Sequence, residues 1–191
     1  MVRCLNFDEL RSLYHTLIKA DFPLTERRPF FLVRKMYDQG RYVGVVLEDK
    51  KQIIAYATFI CDRARSNVFL DYYAVDKNQR GSGIGSRFLK LLREYWKDKS
   101  GIILECEMPE SAKTENEKMT RKRRIDFYLR GGAEITPVHW RLFGVDYNIL
   151  WLQTGPASVK DNISDDLTTM YSFIFPRLLR LLFTQIKSYR V

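Results

Sequence analysis

The sequence predicts an α/β (α+β) fold: a mixed central sheet flanked by helices, with an extra C-terminal helix. Two observations carry this. Residues 41–48 and 52–61 read as strands joined by the short polar link Asp49-Lys50-Lys51, and a third strand comes next, which makes an antiparallel meander. Residues 69–75, a glycine-bearing loop, an apolar-striped helix and the run IILECEMP then read as strand, helical crossover and strand. Few folds join a meander to such a crossover in that order. At 191 residues, one domain with a proper core is expected.

At the N-terminus, Val2 to Leu5 could supply a first strand. Residues 6–20 predict a helix, with Asn6 and Glu9 as a capping box and Leu10, Leu13, Tyr14, Leu17 and Ile18 as its stripe. A break falls at Asp21-Phe22-Pro23. Residues 25–38 predict a second helix, with Pro29 in its first turn and Gly40 past its end. Phe30, Phe31, Val33, Met36 and Tyr37 give it an aromatic face.

Residues 69–96, FLDYYAVDKNQRGSGIGSRFLKLLREYW, organise the rest. Ile84, Phe88, Leu91, Leu92 and Tyr95 lie on one 3.6-residue stripe. Gly101 opens the next strand. Thr114 with Glu117 caps a helix that runs to Arg130 and stops at Gly131-Gly132. Residues 133–142 and 144–152 close the sheet. Residues 153–165 read as a connector. Pro176 opens a final helix carrying Leu178, Leu179, Leu182, Phe183 and Ile186, with Arg177, Arg180, Lys187 and Arg190 around it. The expected organisation is a domain over 1–152, with a connector and helical extension over 153–191 packed on it.

A strand feeding a helix through small residues makes an anion site. The first N–H groups of the helix have no internal partner, and its dipole puts partial positive charge there. The loop here, residues 76–85, carries Gly81, Gly83 and Gly85. It is not a Walker loop, since no Gly-Lys-Ser/Thr ends it. Nor is it GxGxxG, because the third glycine comes two residues after the second.

Arg80, Gly83 and Gly85, with Gln79 before them and Val75 ending the strand, resemble the Arg/Gln-x-x-Gly-x-Gly/Ala motif of the GNAT superfamily of acyl-CoA-dependent N-acyltransferases. RRIDFYLRGGA, residues 123–133, is similar to the family's late helix, although Gly-Ala stands where many members have Gly-Phe. The polar loop at residues 111–117 is also longer. The resemblance covers about residues 1–152. It implies acetyl-CoA as co-substrate, held by Ala74, Val75, Gln79, Arg80, Gly81, Ser82, Gly83, Ile84, Gly85 and Ser86. It also implies a thioester lying where the 69–75 strand parts from the IILECEMP strand.

Acyl transfer by direct amine attack needs three things. The amine must be neutral, and a lysine amine has a pKa of about 10.4, so a base or water relay is wanted. Asp71 interrupts an apolar strand, and Glu105 and Glu107 alternate with Cys106 on one side of an inner strand. All three are candidate bases, with Glu107 favoured by its place near the strand end. A structural carboxylate is the rival reading for each. The oxyanion needs a donor, which a backbone N–H near Ala74 or Val75 would give if the strand bulges. The leaving thiolate takes a proton, and Tyr128 matches the family's usual phenol acid; its rival reading is a core aromatic.

The charge balance of 32 basic and 23 acidic residues gives +9. That suits a polyanionic ligand such as coenzyme A, or plain solubility. No long basic run interleaved with aromatics predicts nucleic-acid binding. Only His15 and His139 are present, with three widely spaced cysteines, so neither a metal site nor a cysteine nucleophile is expected. No apolar run spans a bilayer, and the start lacks a signal core, so a cytoplasmic protein without membrane contact is expected. The resemblance implies a small-molecule or protein amine as partner, and a monomer or homodimer is expected. The rival function is a non-catalytic acyl-CoA-binding or sensing domain of the same fold.

Overall fold

A computed structural model describes residues 1–142, 144–155, 162–175 and 184–188, the last as backbone. The chain divides into two compact units, Met1–Arg63 with Leu70–Leu91, and Ala64–Phe69 with Leu92–Val191.

The first unit carries strands in the order β1-β2-β3-β4. β1 (Val2–Cys4) pairs antiparallel with β2 (Tyr42–Asp49), and β2 with β3 (Gln52–Ile60). The link between β2 and β3 turns through Lys50 and Lys51, both at positive φ (46° and 67°), the geometry of a tight hairpin. Over this meander lies α1 (Phe7–Leu13), whose Asn6 and Glu9 form the expected reciprocal cap. Leu10, Leu13, Tyr14 and Ile18 are buried as their spacing requires.

The 6–20 helix is not uniform. Tyr14–Ile18 is a π turn, with the Lys19 N–H reaching the Tyr14 carbonyl, before a last α turn at Lys19–Asp21. The expected second helix starts late: α2 is Phe30–Asp38, and Leu24–Glu26 forms a separate 3₁₀ turn. Pro29 caps α2 rather than sitting within it. A proline disfavours helical backbone in the residue before it, which ends any helix crossing from Arg28. Val33 and Met36 are buried, whereas Phe31 is exposed.

The second unit carries strands in the order β4-β5-β7-β6-β8. β4 (Asn67–Val75) and α3 (Ile84–Tyr95) each contribute residues to both units. β5 (Gly101–Glu107) pairs parallel with the start of β4, from Asn67↔Gly101 to Phe69↔Ile103. β6 (Glu134–Leu142) and β7 (Val145–Gln153) pair antiparallel, and β7 also flanks β5. The sheet is thus mixed, as expected. Gly101 is no simple break. The Trp151 indole lies where a side chain would stand, so a methyl group there would collide with it. In α3 the buried positions are Phe88, Leu89 and Leu92, and Tyr95 is exposed. α4 (Glu115–Arg130) starts at the Thr114 cap and ends at Gly131, as predicted.

The C-terminal region departs from the expected connector and helix. An unexpected helix starts at the end of the expected connector and runs past it: α5 (Ile163–Ile174) buries Ile163, Leu167, Met170, Tyr171 and Ile174. Ser164, Asp165 and Asp166 look like loop residues, yet acids in a first turn favour a helix start. Asp166 is itself buried and accepts from the Asn67 backbone N–H (3.1 Å) and side-chain amide (2.9 Å). Asn67 in turn accepts from the Trp151 indole at 2.8 Å.

Residues 184–188, placed by the sequence reading in a final helix, form β8 (Thr184–Ser188) antiparallel to β6. Leu178, Leu179, Leu182 and Phe183 of that expected helix lie outside the described residues. Among the described residues no helix is long and apolar enough to cross a membrane.

Candidate active site

The loop after β4 is built around two left-handed glycines. Asp76 caps a 3₁₀ turn at Lys77–Gln79 by accepting from the Asn78 N–H (2.8 Å). Gly81 and Gly83 then take φ of 81° and 83°, which favours glycine at both. The space where a Cβ would stand is open at each.

The Arg87 N–H donates to the Gly83 carbonyl at 3.0 Å, an α-helical bond that marks the start of α3. The N–H groups of Ile84, Gly85 and Ser86 come before it and so lie in the first turn, where helices hold anions. Gly85 is tied to β4 by the Tyr73 hydroxyl, which donates to its carbonyl at 2.6 Å. The Tyr73 ring stacks on Phe88. Arg80 donates from Nε to the Val75 carbonyl (3.2 Å) and reaches within 3.8 Å of Asp21. The Tyr56 hydroxyl donates to the other oxygen of Asp21 at 2.9 Å. Gln79, Ser82 and Ser86 are exposed, Ala74 is buried and Val75 half-buried.

Also in the first unit, Asp71 is sealed, its side chain 2 % exposed. It pairs with the Arg28 guanidinium and accepts from the Tyr42 hydroxyl at 2.7 Å. Burial holds the Tyr42 phenol well above its ordinary pKa, so it stays a donor. Arg28 lies between the 3₁₀ turn and α2. No motif in the sequence marks either Arg28 or Tyr42 as a partner of Asp71.

In the second unit the two β5 glutamates share a side of the strand, as alternation requires, and each is held by a helix. Glu107 pairs with Arg121 of α4 at 2.8 Å. Glu105 accepts from the Tyr171 hydroxyl of α5, 2.8 and 2.7 Å from its two oxygens. Cys106 between them points the other way and is buried, which pushes its thiol up to about 12. Tyr128 is buried on α4 with Ile125, while Leu129 is exposed. His15 is exposed on the π turn and His139 is half-buried on β6. Among the described residues no cluster of three metal-ligating side chains exists.

Residues 9–116, more than half of the chain, match the family model described as the acetyltransferase (GNAT) family. The chain belongs to that family. Acyl transfer is therefore its enzymatic class, and acetyl-CoA is the co-substrate of the family. This GNAT protein matches no curated protein significantly.

Its fold recurs in solved structures. A GNAT-family protein from Bacteroides thetaiotaomicron is 19% identical over 90% of this chain and 96% of its own, with a TM-score of 0.69. The ribosomal-protein-S18-alanine N-acetyltransferase of Escherichia coli is 17% identical, covering 84% and 97%, at 0.57. Spermidine N-acetyltransferase from Vibrio cholerae, in complex with CoA and spermine, is 12% identical, covering 81% and 95%, at 0.60. The segment matched by the family model holds the glycine turn and both glutamates. Tyr128 lies beyond it.

Proposed function

We propose that this protein is an N-acetyltransferase that moves the acetyl group of acetyl-CoA to a primary amine by direct attack. The observation that carries the reading is the turn at residues 81–86, where two left-handed glycines open onto the first N–H groups of α3. These amides, with those of Ala74 and Val75 and the side chains of Gln79, Arg80, Ser82 and Ser86, would hold the carrier and its diphosphate.

In the reaction the amine nitrogen bonds to the thioester carbonyl carbon and the C–S bond breaks. The amine's proton passes to a base and thence to water, and the departing thiolate takes a proton from an acid. We assign the acid to Tyr128 and the base to Glu107. Glu107 is part-exposed, its side chain 29 % accessible, so it can exchange protons with solvent, and Arg121 fixes its direction. Asp71 is closed in by Arg28 and Tyr42, which favours a supporting role for it. Glu105, bridged by Tyr171, supports from within β5.

The acceptor is a small amine or a protein amine. Spermidine and the alanine of ribosomal protein S18, which two of the neighbours are named for, mark that range. The domain would span 1–152 with 153–191 as its extension. A cytoplasmic setting is in keeping with Cys4, Cys61 and Cys106 forming no disulfide.

The test is an amine panel with acetyl-CoA, following thiol release. Release that depends on a particular amine supports the reading. Tight CoA binding with no acetylated amine would favour a sensing domain instead.

A further inference from the structure

A cavity of about 290 Å³ lies in the first unit among the last turn of the α1 segment, β3 and the residues after β4. That is at the small end of ligand sites, which run from about 300 to 1,000 Å³. Leu17, Ile53 and Ala55 give it apolar walls, and Asp21, Asp76 and Lys77 also line it. The carboxylates outnumber the ammonium. Asp21 reaches this wall just after the π turn, whose extra residue rotates the next turn by about 100° around the helix axis.

Asp21 faces two ways. It lines the cavity, and it also lies 3.8 Å from the Arg80 guanidinium, at the outer limit of an ion pair. Arg80 is 56% exposed, so this attraction is weak and easily exchanged. Tyr56 fixes the carboxylate by donating to its second oxygen and keeps it from turning away.

We propose that the cavity binds the alkylammonium end of an amine with Asp21 as counter-ion, and that Asp21 couples this amine to a diphosphate on the 81–86 turn through Arg80. The coupling rests on the acyl-carrier reading; the amine site does not. A diphosphate draws Arg80 off Asp21 and leaves a part-buried carboxylate in want of a cation. An ammonium group in the cavity supplies it and releases Arg80 to the diphosphate. Each ligand removes the other's competitor, so each raises the other's affinity by the same factor. A neutral alcohol of equal length fills the apolar walls but cannot replace the guanidinium.

The experiment uses the full chain, with butylammonium chloride and 1-butanol as probes at constant ionic strength. Thermal unfolding without CoA reads amine binding, and calorimetric titration of CoA with and without each probe reads coupling. Butylammonium should raise the midpoint and tighten CoA by about fivefold or more, and butanol should do neither. Asp21→Asn should lose both effects. Arg80→Ala should keep the midpoint shift and lose the coupling, and this variant decides the matter if Asp21→Asn does not fold.

Equal effects of butanol and butylammonium, or an Asp21→Asn protein that still responds to the amine, would overturn it. Should the wild type bind no CoA, the acyl-carrier reading fails and the coupling with it. The midpoint shift and its loss in Asp21→Asn still decide the amine site.

Discussion

The Tyr171 hydroxyl bridges the two carboxylate oxygens of Glu105, at 2.8 and 2.7 Å. Tyr171 is buried against Trp140 and Phe69, so its ring has little freedom to follow the carboxylate if that moves. Tyr171→Phe removes the donor and keeps the packing. It should cost about 1.5–3 kcal/mol in urea unfolding, the range for a hydrogen bond to a charged group. Combined with Glu105→Gln, the two changes should be non-additive, because they alter the same contact.

Tyr128→Phe should lower kcat about a hundredfold or more if the phenol is the acid, with CoA affinity unchanged. Steady-state kinetics with one responsive amine, together with calorimetry, checks both halves. Equal turnover in the variant would return Tyr128 to the core, where Ile125 already is.

The Lys50-Lys51 turn holds two side-chain-bearing residues at positive φ. Left-handed backbone costs roughly 1–2 kcal/mol per residue, and less at asparagine or glycine. Replacing the pair by Asn-Gly should raise the unfolding midpoint by several degrees, read by calorimetry.

Cys106 is buried and its thiol pushed up to about 12, while Cys4 is exposed. Iodoacetamide at pH 8 should therefore label Cys4 in the native protein and spare Cys106, since the thiolate is the nucleophile. Peptide mass spectrometry reads the pattern, and full denaturation should open all three cysteines.

Arg3 gathers Glu9 and Glu48, and its hydrogen bonds hold both carboxyls below the ordinary 4.5. A depressed folded value means the contribution is present above the unfolded value and fades as pH falls through the folded one. Arg3→Met should lower stability slightly at pH 7, and the gap from wild type should close on acidification. Urea titrations at a series of pH values read this.

The meander and the crossover were legible because alternation and a 3.6-residue stripe survive in the sequence wherever one face is buried. Asn6 with Glu9, Thr114 and Gly131 were legible because caps are local chemistry. The C-terminal region misled for a physical reason. Leu178 to Ile186 have helical spacing, yet residues 184–188 pair with β6, and a distant pairing such as Val138↔Ser188 leaves no local trace. Asp166 reads as a loop residue until its partners, Asn67 and Arg65, are seen beside it.

The site divides along the same line. The glycine turn is contiguous, so it could be read directly. Asp21 with Tyr56, and Glu105 with Tyr171, are partners 35 and 66 residues apart that only the fold brings together. The π turn, which sets where Asp21 points, has no sequence signature of its own.

The bond between Asn67 and Asp166 spans 99 residues. On the ribosome, at about 10 residues per second, the amides opening β4 would wait on the order of ten seconds for that carboxylate to be synthesised. Until then the nascent protein exposes the apolar side later covered by Leu167, Met170 and Tyr171, so a chain stalled before residue 163 should be the form that chaperones seize.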